Sequence, residues 1–476
     1  MSDDDPNDRH LLVRAVAAVL VLLALTVGLL VWGQFGATLA GVAGWMITGG
    51  LVIVVAVFVA IYGRTRPVVA GMITLGTAVA VATSVAVPLL SWRAEYHGTG
   101  VIWMSDLPAT DERLEPYAVI GDAAVLKGDD RLVFLDLSTG HHRGTLPYQI
   151  GDRLAVAGER LLIGSNDRFQ LYDAAARPLW PEPIAADYPV AATPDVVVLG
   201  SPCSLGDICA FGLDPGGRKV WQRRISTTIS TGMARLPALI ASKTGPDDWT
   251  VLDAADGSAR GTVEADVALA SGSTVTAVRV DQGSCEVTGE NQPTGETFDC
   301  SDPPWFRWVA DQLAYVEDSD GRGTLVRLDA AGGQLEEVDE DTALGLEPEI
   351  GLSRLGWARL SNQTLEFGDW PSGLGRASRS TGPLPIEPDT IRGLARVLVK
   401  DGTAVVDGPA EPRPGQHNTD RQLIIFDLPG GTETARLRLP ENLSGSVTRD
   451  NTLSTGPGQA LICLPDRPPM LIGRPA

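Results

Sequence analysis

A repeat with a period near 40 residues constrains the fold of this chain more than any other feature of its sequence. Each copy is a short run of alternating apolar residues that ends in aspartate, and a glycine usually follows within a few residues. The alternation predicts a strand with one buried face, the aspartate is expected to accept backbone N–H groups across a turn, and the glycine supplies the positive φ of a tight hairpin. The aspartates of the repeat are Asp136, Asp173, Asp214, Asp253, Asp329, Asp369 and Asp427.

The spacing of these aspartates predicts an all-β propeller. The six clearest copies are separated by 37, 41, 39, 76 and 98 residues, so a degenerate copy is expected near residues 292–295, and the weaker copy at Asp369 divides the last gap. Four strands in ~40 residues make one propeller blade. Six clear copies, two weak ones and an apolar run at 461–464 lead us to expect seven or eight blades, with eight preferred. Two packed β-sandwiches are the alternative, and they would not require a regular period.

The propeller is expected to occupy residues 118–476, after a juxtamembrane linker at 91–117. Within that linker, the apolar run at 101–104 is a candidate ring-closing strand, because closure of the ring removes exposed sheet edges. Residues 407–420 have low hydrophobicity and contain several prolines, so they are expected to form an inserted surface loop. Such a loop is either disordered or a docking element for a partner.

Three apolar stretches precede the linker, at residues 11–32, 41–62 and 67–90. Each is long enough to cross a bilayer as an α-helix, and a secretory signal peptide would be shorter and would not be followed by two more spans. Arg64 and Arg66 lie between the second and third stretches, whereas residues 33–40 are uncharged. The positive-inside rule therefore places the tail at 1–10 in the cytoplasm and the propeller outside. The sequence predicts a multi-pass plasma (inner) membrane protein anchored in the lipid bilayer by three transmembrane helices.

The charge of the chain bears on its partners. The formal net charge is −21, and the charges of residues 1–90 cancel, so the excess of acid belongs to the region after residue 90. Such acidity argues against nucleic acid as a partner. The arginine-rich, lysine-poor composition is typical of a GC-rich bacterial genome.

One copy of the repeat resembles a known family. Residues 212–221 read GLDPGGRKVW, which is similar to the pyrroloquinoline-quinone-type (quinoprotein-type) propeller repeat: an apolar strand, Leu-Asp, a glycine turn, and a strand that ends in Trp. Residues 251–257 and 325–333 resemble it less fully. Trp180 and Trp221 occupy the tryptophan position, seven residues after their aspartates. The resemblance extends over about residues 118–470 and implies a propeller, but a repeat of this kind does not define a function.

The five cysteines all lie in the region that is expected outside the membrane, where disulfides persist. Cys203 with Cys209 and Cys285 with Cys300 are the disulfide candidates, because each pair is local and lies in loop-forming sequence. Free buried thiols are the alternative for these four, and Cys463, inside an apolar run, is expected to be one. No Cys-x2-Cys pair suitable for zinc is present.

Sequence motifs for catalysis are missing. Quinoprotein dehydrogenases, which the family resemblance implies, commonly carry adjacent cysteines and a calcium site, and this sequence has no adjacent cysteines. It also has no haem-attachment, nucleophile-elbow, phosphate-loop or zinc-protease motif. His141 and His142 are expected in an exposed turn, and the acidic run at 317–321 is expected to be a solvated turn rather than a calcium loop.

These observations predict no catalytic, cofactor-binding or metal-binding residues. We expect a non-catalytic binding or scaffold module in the bacterial cell envelope that binds a protein or another envelope component on one propeller face. Two alternatives stay open. One is an enzyme that binds a quinone or a sugar in the central channel, and the other is a sensory or structural subunit of a membrane complex.

Overall fold

The computed structural model describes residues 100–474, except 109–112, 205, 228–234, 290–296, 302–303, 311–312, 318–321, 328–332, 345–349, 354, 362, 371–373, 375–376, 387–394, 411–419, 440–447 and 465–466. The propeller belongs to a compact unit formed by Gly100–Gly408 and Arg421–Ala476. The three predicted membrane helices at 11–32, 41–62 and 67–90 lie outside the described residues. Within the described part of the chain, no helix has the length and apolar character needed to cross a membrane.

The fold is a β-propeller of nine blades, and the prediction of seven or eight was wrong. Each blade is a small antiparallel sheet whose strands are adjacent in sequence, apart from the ninth. Blade 1 contains β2 (Glu115–Ile120), β3 (Ala123–Lys127), β4 (Arg131–Asp136) and β5 (His142–Pro147). Blade 2 contains β6 (Arg153–Ala157), β7 (Arg160–Ser165), β8 (Arg168–Tyr172) and β9 (Ile184–Ala185). Blade 3 contains β10 (Tyr188–Ala192), β11 (Val197–Ser204), β12 (Asp207–Leu213) and β13 (Lys219–Ile225).

The middle of the chain forms blades 4 to 6. Blade 4 contains β14 (Leu239–Lys243), β15 (Asp248–Asp253) and β16 (Ala259–Glu264). Blade 5 contains β17 (Val267–Ser271), β18 (Thr274–Asp281), β19 (Ser284–Gly289) and β20 (Thr297–Asp299). Blade 6 contains β21 (Phe306–Ala310), β22 (Leu313–Glu317), β23 (Arg322–Arg327) and β24 (Gly333–Asp339), and the short helix α1 (Glu340–Leu344) follows it.

The last part of the chain forms blades 7 to 9. Blade 7 contains β25 (Ile350–Ser353), β26 (Gly356–Ser361), β27 (Thr364–Gly368) and β28 (Arg379–Ser380). Blade 8 contains β29 (Arg396–Lys400), β30 (Thr403–Pro409), β31 (Arg421–Asp427) and β32 (Thr432–Leu439), and a 3-10 turn (Arg449–Asn451) follows it. Blade 9 contains β33 (Thr452–Gly456), β34 (Gln459–Ile462), β35 (Met470–Gly473) and, from the other end of the propeller, β1 (Val101–Met104).

The blade count exceeds the predicted one because every copy of the repeat builds a blade, including the degenerate ones. The weak copy at Asp369 ends the third strand of blade 7, and the expected copy near 292–295 falls between β19 and β20 of blade 5, outside the described residues. The apolar run at 461–464 belongs to a ninth sheet. This sheet is complete because β1 pairs antiparallel with β35, with Trp103 opposite Leu471.

Apolar contacts between neighbouring blades hold the ring together. Each junction has a cluster of buried residues drawn from two adjacent blades. Phe134 of blade 1 packs with Ile163 of blade 2, for example, and Trp103 of blade 9 packs with Leu135 of blade 1. Successive side chains along a strand point to opposite faces of the sheet, so one set packs against the preceding blade and the other set against the following blade. Every blade is therefore packed between two others. The cluster that joins blade 9 to blade 1 closes the ring.

At three of these junctions, a tryptophan of one blade packs against a turn of the next blade and bonds to it, an arrangement that we call a tryptophan lock. Trp103, Trp180 and Trp221 each donate the indole N–H to a backbone carbonyl in the next blade, at 2.7, 3.3 and 3.1 Å, to Leu137, Asp214 and Ala254 respectively. Each indole ring also covers a turn glycine with positive φ, namely Gly140, Gly217 and Gly257. Only glycine leaves room for the ring there and adopts that φ at low cost. Trp103 was not recognised from the sequence, because it follows no repeat aspartate.

The chain order of the strands gives the ring two sides. Connections from first to second and from third to fourth strands lie on one side, which we call the turn side. Connections from second to third strands and between blades lie on the other, which we call the loop side. In blade 4, the Asp253 turn follows β15, so the three described strands correspond to the second, third and fourth strands of the other blades. The segment before β14 instead crosses to blade 2, where Leu236 donates its N–H to Val156.

Two predicted boundaries differ in the structure. The propeller begins at Val101 rather than at residue 118. The predicted loop at 407–420 is shorter, because β30 extends through Pro409. Asp407 is buried and accepts a 2.7 Å hydrogen bond from Nε of Arg421 in the adjoining strand, which keeps this part of the chain in the sheet. Residues 411–419 lie outside the described residues.

Candidate functional site

The repeat aspartates organise the turn side of the ring. Oδ1 of Asp136 accepts the backbone N–H groups of Ser138 and Thr139 at 2.8 and 3.0 Å. Asp173 and Asp214 each accept two backbone N–H groups and the Nε–H of the arginine four residues later, Arg177 or Arg218. These aspartates are therefore occupied in shaping the turns.

The remaining repeat aspartates vary in their contacts. The side chain of Asp253 accepts one backbone N–H, from Ala255 at 2.9 Å, and its main-chain carbonyl accepts that of Gly257. Asp369 accepts a 2.9 Å hydrogen bond from Arg379, which also donates to the carbonyl of Pro429 in blade 8. Asp427 accepts the N–H of Gly431 on its main-chain carbonyl, at 2.7 Å. Asp329 lies outside the described residues.

The strongest of these turn networks surrounds Asp136. The hydroxyl of Ser138 and the guanidinium of Arg143 hold the pKa of Asp136 well below its ordinary value of 3.8. Arg143 also bonds to Asp122 of the neighbouring turn, at 2.5 and 2.6 Å, and lowers the pKa of that carboxyl as well. One arginine thus joins two turns of blade 1 through two carboxylates.

We expect Asp136→Asn to destabilise the protein by about 1–3 kcal/mol at pH 7, because hydrogen bonds to the charged group are lost. A carboxyl whose pKa is lowered by folding contributes stability above its unfolded pKa of about 4, and this contribution is lost as the pH falls below that value. The wild-type and variant midpoints in urea should therefore differ at pH 7, and the difference should shrink steadily as the pH falls from 4 towards the folded-state pKa of Asp136. Asp195→Asn, at an exposed turn carboxyl, is the control. A difference that persists unchanged in acid would contradict the assignment.

The loop side has the features of a recognition surface. Both disulfides lie there: Cys203 bonds to Cys209 across the β11–β12 connection, and Cys285 at the start of β19 bonds to Cys300 after β20. Ile150 is 89% exposed and Trp305 is 63% exposed, and both lie in connections between blades. Exposed large aromatic residues are characteristic of binding surfaces.

Trp305 is positioned by neighbouring charges. The guanidinium of Arg307 lies 5.2 Å from the centroid of the Trp305 ring. Arg307 in turn forms ion pairs with Glu340, at the start of α1, and with Glu317, at 3.8 Å. The arginine therefore holds the indole in place while leaving most of its surface exposed. Trp305 does not stand seven residues after a repeat aspartate, as Trp180 and Trp221 do, so the repeat motif did not select it.

The described loop-side connections are acidic. After the first blade begins, their acidic residues are Asp129, Asp130, Asp152, Asp167, Asp187, Asp247, Asp266, Glu340, Asp341, Asp420 and Asp450. The basic residues in the same described connections, after the first blade begins, are Arg449 and Arg467. This side therefore presents a negative field around Trp305 and Ile150, which favours encounter with a positively charged surface.

The central channel contains an apolar cavity with an empty volume of about 590 Å³. Its wall comes mainly from the innermost strands of blades 6 to 9, and includes Val309, Ile350, Leu398 and Val399. Lys400 lies at one end and donates to the carbonyl of Thr452 at 3.5 Å. The lining residues that the structure describes include no carboxylate, no amide side chain and no tryptophan. The convergent acidic, amide and tryptophan side chains that quinone binding would need are therefore not among them.

The other predicted features take ordinary structural places. His141 lies in an exposed turn with Nδ1 3.0 Å from Asp106, and His142 Nε2 lies 2.8 Å from the hydroxyl of Thr145. Cys463 is a buried free thiol, and burial raises its pKa. Of the acidic run at 317–321, only Glu317 is described. Among the residues that the structure describes, no group of three His, Cys, Asp or Glu is placed to hold a metal ion.

These features define the class of protein: a nine-bladed β-propeller. No family model matches the chain, and no curated protein matches it. Solved structures with similarity include BamB from Moraxella catarrhalis, 14% identical over 75% of this chain and 95% of that one, with a TM-score of 0.30. Apo AztD from Citrobacter koseri is 11% identical over 65% and 92% of the two chains, with a TM-score of 0.32. The WD40 domain of SCAP from fission yeast is 10% identical over 76% and 85%, with a TM-score of 0.28.

Proposed function

We propose that this protein is a non-catalytic binding or scaffold module that recognises a protein partner on the loop side of its propeller. The observation that carries the proposal is Trp305, a large aromatic residue that is 63% exposed on a side built from inter-blade connections. Residues of this type dominate binding energy when a partner buries them. The acidic connections around it favour a partner with a basic surface.

The disulfides support a location for this activity. Cys203–Cys209 and Cys285–Cys300 are bonded on the loop side, and structural disulfides persist in oxidising compartments. An extracytoplasmic compartment of a bacterial envelope satisfies that condition. The partner is accordingly a protein or another component of the same envelope.

The test is quantitative affinity purification of the full chain from envelope extracts, followed by binding measurements with the purified partner. We expect Trp305→Ala to weaken binding by at least about tenfold, since loss of a central aromatic typically costs 2 kcal/mol or more. Leu355→Ala is the matched control, because Leu355 is also exposed but lies on the turn side. Equal binding by both variants, or a loss caused by Leu355→Ala alone, would contradict recognition on the loop side.

A further inference from the structure

The apolar cavity of the central channel has one polar end. Its lining extends over four consecutive blades, from Val309 in blade 6 to Thr452 in blade 9. Aliphatic side chains form most of the wall, and Lys400, Thr403 and Ser454 form the polar end at blades 8 and 9. A volume of about 590 Å³, a mainly apolar wall and a few polar groups are typical of small-molecule sites.

The aliphatic wall is only partly covered by the protein itself. Ile350, Leu398 and Val399 lie on the innermost strands of blades 7 and 8 and are half-buried, whereas Val405 on the next strand of blade 8 is buried. Apolar side chains that face open space offer a surface for an apolar ligand to cover. The lining residues that the structure describes include no aromatic ring on which a flat ligand could stack. A flexible aliphatic chain therefore matches this wall best.

Lys400 places a positive charge at the polar end. It is the last residue of β29, and its ammonium group donates to the carbonyl of Thr452 at 3.5 Å, across the junction between blades 8 and 9. An ammonium group carries three N–H donors, so it can bind a carboxylate while it keeps this bond. The hydroxyl of Thr403, by contrast, is occupied inside the protein, where it donates to the carbonyl of Gly456 at 2.8 Å.

We propose that the cavity binds a straight-chain aliphatic carboxylate, with the chain along the aliphatic wall and the carboxylate at Lys400. The charges are complementary, because the described lining residues include this cation and no carboxylate. Burial of the chain supplies affinity, at roughly fourfold for each methylene group. Binding of such a ligand does not depend on the protein partner proposed for Trp305.

The test is calorimetric titration of the full chain at pH 7 with hexanoate, octanoate and octanol, each below the concentration at which it aggregates. We expect saturable binding of octanoate, about fifteenfold tighter than that of hexanoate because two more methylene groups are buried. Octanol has the same chain without the charge, and should bind at least about tenfold more weakly than octanoate. Equal affinities of octanol and octanoate, or no saturable binding of octanoate, would overturn the proposal.

Substitutions separate the wall from the polar end. Ile350→Trp should fill the cavity and abolish octanoate binding, whereas Ile150→Trp is the matched control, because Ile150 is 89% exposed between blades 1 and 2. Lys400→Met should weaken octanoate binding about tenfold, with Lys243→Met in blade 4 as its control. Leu398→Phe, checked for an unchanged urea midpoint, is the second filling variant if Ile350→Trp fails to fold. Unchanged octanoate binding in a folded filling variant, or an equal loss in both lysine variants, would contradict binding in this cavity.

Discussion

Trp103→Ala is expected to lower the free energy of unfolding by about 3–5 kcal/mol, the range found when a buried aromatic residue is truncated in a core. Trp103 is only 8% exposed and packs in the cluster that joins blade 9 to blade 1. Its indole N–H donates to the carbonyl of Leu137 at 2.7 Å. Truncation therefore removes apolar contacts and leaves a partly buried carbonyl without its donor, at the junction that closes the ring.

Urea unfolding followed by fluorescence and circular dichroism measures this effect. Trp305→Ala is the control, because the same substitution at a residue that is 63% exposed should change stability little. If the junction between blades 9 and 1 contributed nothing to stability, the urea midpoint of Trp103→Ala would equal that of the control. A decrease confined to the fluorescence signal would also contradict the expectation, because loss of ring closure must reach the sheets of both neighbouring blades.

A double-mutant cycle tests the geometry of the lock. Gly140 has a φ of +75°, and a Cβ atom there would overlap the Trp103 ring. In the wild type, Gly140→Ala must therefore suffer both backbone strain and displacement of the indole. In the Trp103→Ala background, only the backbone strain is left, so the substitution should cost less. If the two substitutions changed the free energy of unfolding independently, the indole ring of Trp103 would not rest on Gly140.

The sequence predicted the architecture because each repeat encodes its own turn. The aspartates at positions 136, 173 and 214 accept backbone N–H groups in the way that their motif indicates. The number of blades was harder to predict, because degenerate copies lack clear motifs yet still form sheets against well-formed neighbours. The ninth blade in particular draws its strands from both ends of the propeller, and no local pattern reports that a distant strand completes it.

The candidate sites were less predictable than the fold, since they depend on contacts between blades. Trp305 has the same residue type as the lock residues, but its position between blades leaves it exposed. The cysteine pairs were the exception. Each pair is close in sequence, so local spacing sufficed to select Cys203 with Cys209 and Cys285 with Cys300, which are bonded in the structure.

Removal of the Cys285–Cys300 disulfide by a double change to alanine should cost about 3 kcal/mol or more. The bond closes a loop with a sequence separation of 15 residues, for which the chain-entropy relation gives roughly 3 kcal/mol. Both sulfurs are also buried in the cluster between blades 5 and 6, so their loss adds a packing defect. The Cys203–Cys209 bond closes a loop with a sequence separation of only 6 residues. Its removal by the corresponding double change should therefore cost less, roughly 2 kcal/mol.

Urea midpoints of the two double variants against the wild type measure this difference. Stepwise reduction with dithiothreitol, followed by alkylation and mass spectrometry, provides an independent comparison. Cys203 is exposed whereas Cys285 and Cys300 are buried, so the Cys203–Cys209 bond should open first. Simultaneous reduction of both disulfides would contradict the expectation that the exposed bond opens before the buried one. Alkylation of all four thiols in protein taken directly from its native cells would be a stronger contradiction, because the disulfides and the proposed extracytoplasmic location would then fail together.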